Sequence, residues 1–104
     1  MKCTTLIPMN GNDGKPVAEE VTEEVLAMVW EKFPDTTIDG QTQGRWEHEG
    51  TVYQDNCFKL VIACHNDRLF EVLELVKKIG KRLGQKAMYL EIQYYDGVRI
   101  ISID

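Results

Sequence analysis

The stretch GRWEHEGTVYQDNCFKLVIAC, residues 44–64, gathers an arginine, a tryptophan, a histidine, two glutamates, a tyrosine, an aspartate and two cysteines. Two kinds of chemistry fit those types. An aspartate beside a tyrosine, Asp55 and Tyr53, can work as a general base, with Arg45 to orient an anionic substrate. The alternative is ordinary strand decoration. Arg45, Glu47 and Glu49 share a parity, and cross-strand ion pairs of that kind contribute little to stability.

Other combinations carry less. Cys64 and His65 are adjacent, and neighbours on a strand point to opposite faces, so they do not form a thiolate–imidazole pair there. Three cysteines, Cys3, Cys57 and Cys64, show no CxxC spacing, and with His48 and His65 as the whole histidine complement no zinc set of about four ligands is expected. The turn NGNDGK follows a strand and precedes a helix, where anions can dock on free N–H groups. It lacks the GK[ST] of a phosphate loop, and Asp13 would repel phosphate. Val21 stands where a calcium loop needs its bidentate glutamate. No cofactor is expected.

The elements that must hold these residues follow from periodicity. Residues 2–9 alternate and are β-branched, ending at Pro8 and NGNDG, and read as a strand. Residues 16–33 read as a helix, with Pro16 in its first turn, acids at its positive end, and Ala18, Val21, Val25, Val29 and Phe33 on one face; Pro34 stops it. Residues 36–49 and 51–64 form a hairpin about Gly50. Asn66 or Asp67 is set to cap a second helix over 68–83, with its stripe of Leu69, Leu73, Val76, Ile79 and Leu83, and Gly84 at its end. Residues 86–95 and 98–103 are strands joined by Asp96-Gly97.

This order predicts an α+β fold: one ferredoxin-like β-α-β-β-α-β sandwich over residues 1–104, with an additional C-terminal strand. Each helix has one apolar stripe, so both are expected on one face of an antiparallel sheet. Parity then assigns Val52, Phe58, Leu60, Ile62 and Cys64 to the helices, and Met88, Leu90, Ile92 and Tyr94 with them. The uncovered face would carry Thr5, Tyr53, Asp55, Cys57, Lys59, Val61, Tyr89 and Glu91. A semi-apolar surface of this kind suits an interface or a ligand platform. Tyr53, Cys57, Val61 and Tyr89 are the interface candidates.

Composition narrows the partners. The chain has 104 residues and a net charge of −5. Residues 13–49 hold ten acids against three bases, whereas residues 66–104 are close to neutral. That balance disfavours nucleic-acid binding, which runs on bases neutralising phosphates. The best basic run, Lys77, Lys78, Lys81, Arg82 and Lys86, reads more simply as a solvated helix end favoured by the dipole. RNA-recognition domains of this layout stack bases on strand-three aromatics, a pattern that VYQDNCFKLVIAC does not match. No apolar run approaches the roughly 20 residues of a membrane span, and odd, scattered cysteines suit reduced thiols, so a cytoplasmic protein without membrane contact is expected.

F-P after helix one, G-R-W in strand two, G-T-V-Y-Q-D opening strand three and L-G-Q-K-A before strand four together resemble a group of small, single-domain uncharacterised bacterial proteins of about this length. The resemblance implies a ferredoxin-like domain and supplies no activity. A site shared by that group would fall on Arg45, Trp46, Tyr53, Asp55 and Gln85. The function expected from the residues is a non-catalytic interaction domain that forms a homo-oligomer, such as a homodimer, through its open sheet face. The alternatives are a small-molecule sensor or small enzyme with a pocket between that face and the 44–55 hairpin, and, more weakly, nucleic-acid binding through helix two.

Overall fold

In the computed structural model, residues 1–94 and 101–103 are described, with Trp46, His48 and Tyr53 described by backbone alone. The elements are β1 (Lys2–Pro8), α1 (Glu19–Lys32), β2 (Thr37–His48), β3 (Thr51–Ala63), α2 (Leu69–Arg82) and β4 (Leu90–Gln93). The strands form one antiparallel sheet in the order β2-β3-β1-β4. Val25, Val29 and Phe33 from the α1 side and Val72, Leu75, Val76 and Ile79 from α2 join Cys3, Ile7, Leu60 and Ile62 in a single apolar cluster. Both helices therefore cover the same sheet face, and the fold is the ferredoxin-like α+β sandwich.

Half of the expected fifth strand, residues 98–100, falls outside the described residues, as does its Asp96-Gly97 turn. Residues 101–103 carry no strand. Helix α1 begins three residues later than its periodicity suggests. Residues 10–17 are held in a small excursion of their own, with Asn10 bridged to Pro16 and the Val17 N–H donating to the Met9 carbonyl at 2.9 Å. Strand β4 is much shorter than residues 86–95. It pairs only with Lys2 to Thr5, because Met88 leaves the ladder to lie against Gly80 of α2. Asn66 does not cap α2; residues 66–68 form a 3₁₀ turn, and the Asn66 amide donates to the Tyr94 carbonyl. Gly84 ends α2 as expected, with φ at +66°, its N–H on Lys81 and the next N–H, that of Gln85, on Gly80. This is the double bond pattern of a Schellman cap.

Register settles the faces. Cys3 opposes Ile62, Thr5 opposes Leu60 and Ile7 opposes Phe58, so these six share the helix-covered side. Thr5 was expected on the open face and belongs to the core instead, 1% exposed. Its side chain points the same way as that of Leu60, its partner on β3, and its hydroxyl is satisfied by donating to the Tyr89 carbonyl at 2.7 Å. Tyr94, expected inward, is exposed, since β4 has already ended.

Beyond the sandwich, β2 and β3 run on together. Their pairing continues from Gln41↔Phe58 to His48↔Thr51, past a bulge between Ile38 and Gln41 where Gly40 sits at φ +74°. The part that runs past the end of β1, residues 43–48 against 51–56, is roughly 17 Å of two-stranded ribbon at about 3.3 Å per residue. The turn at its tip holds Glu49 at φ 51° and Gly50 at φ +80°. Positive φ at both central residues is the type I′ geometry whose twist matches the strands. Apart from Thr42, the described side chains of residues 41–56 are exposed. The molecule measures 53 × 29 × 24 Å with a radius of gyration of 14.8 Å, against about 13 Å for a compact chain of this length.

Candidate functional site

The open sheet face is built by alternate residues of all four strands. β1 contributes Lys2, Thr4, Leu6 and Pro8, opposite Ala63, Val61, Lys59 and Cys57 of β3; β4 adds Glu91 and Gln93 opposite Thr4 and Lys2; Thr42 of β2 lies opposite Cys57. Thr4 and Cys57 are buried even here, each on a strand paired on both sides. Lys59 pairs with Asp39 at 3.4 Å. Just before β4, the Tyr89 hydroxyl donates to the Glu91 carboxylate at 3.4 Å, which puts Tyr89, half exposed, on the same side. Val61, Cys57 and Tyr89 thus lie on one surface; the backbone of Tyr53 sits on the ribbon, paired with Trp46.

The five ligand-binding candidates divide between two places. Arg45 lies opposite Gln54, and Asp55 opposite Gly44, so Arg45 and Asp55 occupy positions of opposite parity on the ribbon and emerge on different faces. An arrangement with Arg45 orienting a substrate onto Asp55 within one chain does not form. Gln85 belongs to the loop after α2. Its amide donates to the Asn12 side-chain oxygen at 3.4 Å, and the Asn12 amide donates to the Gly84 carbonyl at 2.8 Å. Because the Met9 N–H donates to the Asn56 carbonyl at 2.8 Å, this pair of loops and the root of the ribbon at Asp55 share one end of the sheet.

The thiols are poorly set for nucleophilic work. Burial pushes all three above the ordinary value of 9.0. The Asp55 carboxylate raises Cys57 further; the charge of Cys64 raises Cys3; Arg68 and the terminal ammonium only partly offset burial at Cys64. A catalytic thiol needs the opposite shift. Cys3, Cys57 and Cys64 are free thiols. Among the described residues no three metal-ligating side chains cluster, and no helix is long and apolar enough to cross a membrane.

Two clefts lie in the helix layer rather than on the open face. One, of about 570 Å³, runs between α1 and α2 past Met28, Phe70 and Leu75, and mixes acids with lysines. The other, of about 440 Å³, lies between α2 and residues 85–90; its lining includes Gln85. The lysines that rim it, Lys77, Lys81 and Lys86, belong to the basic run of the sequence, which had no assigned place in a cavity. The feature that parity reading passed over is the ribbon. Its signal was present: regular apolar alternation in β3 begins only at Phe58, after the polar TVYQDN.

No family model and no curated protein matches this sequence. Solved structures do match it in fold. A phage SAM lyase in complex with S-methyl-5'-thioadenosine superposes with a TM-score of 0.69 at 18% identity, covering 89% of this chain and 79% of the lyase. CutA1 from Pyrococcus horikoshii gives 0.66 at 14% identity, covering 94% of this chain and 85% of its own. The periplasmic divalent cation tolerance protein CutA from Archaeoglobus fulgidus gives 0.65 at 15% identity, covering 94% and 86%. At these identities the likeness is one of fold.

Proposed function

We propose that this chain is a non-catalytic, self-associating domain over residues 1–104, which presents its ribbon and open sheet face to a second copy. The ribbon carries the reading. Strands of 12 and 13 residues are about twice the common length, and an isolated two-stranded ribbon is marginal in water. A second copy laid along it would bury apolar surface that one chain leaves exposed on these two strands, including Ile38 and Val52. Three free thiols suit a cytoplasmic location, and the resemblance to small bacterial proteins suits such an origin. Size-exclusion chromatography with light scattering at micromolar concentration tests the proposal. A homodimer or larger closed assembly is expected; a 12.0 kDa species unchanged on dilution overturns it.

A second reading is favoured by the convergence of the 10–16 loop, the 84–89 loop and Asp55 at one end of the sheet. Those polar groups could hold a small ligand, and the structural neighbour in complex with S-methyl-5'-thioadenosine indicates a nucleoside thioether as the first probe. Thermal unfolding with millimolar S-methyl-5'-thioadenosine should then shift upward, and less so in Gln85→Ala. An unchanged transition removes this reading.

A further inference from the structure

The ribbon tip and the cleft beside β4 are complementary, and we propose that the tip of one copy seats in that cleft on the next. This rests on the self-association reading and gives the ribbon a seat in the helix layer, apart from the open sheet face. The cleft has a floor of Val76, Met88 and Leu90 and a rim of Lys77, Lys81 and Lys86, and among the described residues lining it there is no carboxylate. Lys77 lies 3.7 Å from Glu74; Lys81 and Lys86 have no ion-pair partner among the described residues. The tip has the opposite character. Glu47 stands across from Val52, Val52 is 52% exposed, and Glu49 follows in the turn, with Arg45 set two residues nearer the sandwich. An acid–apolar tip thus faces a lysine-rimmed apolar floor.

The topology requires the partner to be a second molecule. The ribbon grows from β2 and β3 at one edge of the sheet, whereas Met88 and Leu90 flank the opposite edge, across β1. A chain's own tip points away from its own cleft. Contact between different patches on two copies is heterologous, and it gives a finite assembly when the rotation closes. In such a joint Val52 supplies buried apolar area, while the acid–lysine pairs set register and association rate more than affinity. Rim pairs of that kind weaken with salt, since screening at 0.5 M acts within a few ångströms.

Charge reversal on both sides provides the test, on the full chain. Sedimentation velocity is run on the wild type, on Lys81→Glu/Lys86→Glu, on Glu47→Lys/Glu49→Lys, and on the four-fold combination, at 50 and 500 mM NaCl. The expected result is measurably weaker association of the wild type at high salt, at least tenfold weaker association in each double variant, and recovery to within about threefold of wild type in the combination. An assembly that ignores both reversals and salt overturns the tip-in-cleft contact while leaving self-association standing. Loss in the double variants without recovery in the combination also overturns it. A wild type that is monomeric throughout overturns the self-association reading itself.

Discussion

Thr5 shows how much a single hydroxyl can decide. Sequence parity counted it as an outward residue, yet it sits opposite Leu60 with its Oγ1 on the Tyr89 carbonyl. Thr5→Val keeps the shape and strands that carbonyl. A loss of about 1 to 2 kcal/mol is expected, read as a shift in the urea midpoint at constant slope. Cys57 gives a pH prediction. Its thiol is raised first by burial and then by Asp55, so the folded state holds this proton more tightly than the unfolded one. The associated stability is complete below the ordinary value of 9.0 and is lost as pH rises through the higher folded value. Unfolding free energy should therefore fall above about pH 9, and fall less steeply in Cys57→Ala. Asp55→Asn should bring the thiol back towards its ordinary value, which iodoacetamide modification followed against pH will report as an onset at lower pH.

At the scale of elements, α2 meets β4 at one tight point. A Cβ on Gly80 would lie 2.9 Å from the Met88 Cγ. Alanine at a helix interior is ordinarily worth about 1 kcal/mol over glycine, but here it must displace Met88, and overpacking costs about 1 to 3 kcal/mol. Gly80→Ala is expected to cost about 1 kcal/mol in the wild type and to stabilise by a similar amount in a Met88→Ala background; a double-mutant cycle by chemical denaturation reads the coupling. Elements of this kind are where sequence reading did best. Most of the helix stripes, the hairpin and the glycine cap at 84 were legible because each rests on a local period or a backbone preference, although Leu75 rather than Leu73 enters the core cluster and Ala18 is exposed. The misses were contacts between elements: the bridge that delays α1, and the Met88 turn that shortens β4. The site was less legible still. Arg45 and Asp55 look adjacent on a hairpin, but the two-residue turn at Glu49-Gly50 pairs His48 with Thr51, and the register it sets places Arg45 opposite Gln54 and Asp55 opposite Gly44, on different faces.

The whole molecule is two parts of unequal independence, a sandwich with a buried core and a ribbon with almost none. The core cluster draws on β1, α1, α2, β4 and only the second half of β3, so the ribbon should be removable without unfolding the rest. Gln43 pairs with Asn56, with the Gln43 amide donating to Asn56 at 3.3 Å, just as His48 pairs with Thr51 around the native turn. Replacing residues 44–55 by Asn-Gly closes the hairpin at that pair with the same type I′ geometry. The shortened chain is expected to unfold in one cooperative step with a midpoint close to that of the full chain, because the described side chains it loses are exposed and contribute little burial. It is also expected to be monomeric at concentrations where the full chain assembles, and its radius of gyration by X-ray scattering should drop towards that of a compact sandwich. A shortened chain that still assembles would place self-association on the open sheet face alone. One that no longer folds would show that the ribbon supports the core, and the division of the molecule into a stable body and a docking arm would fail.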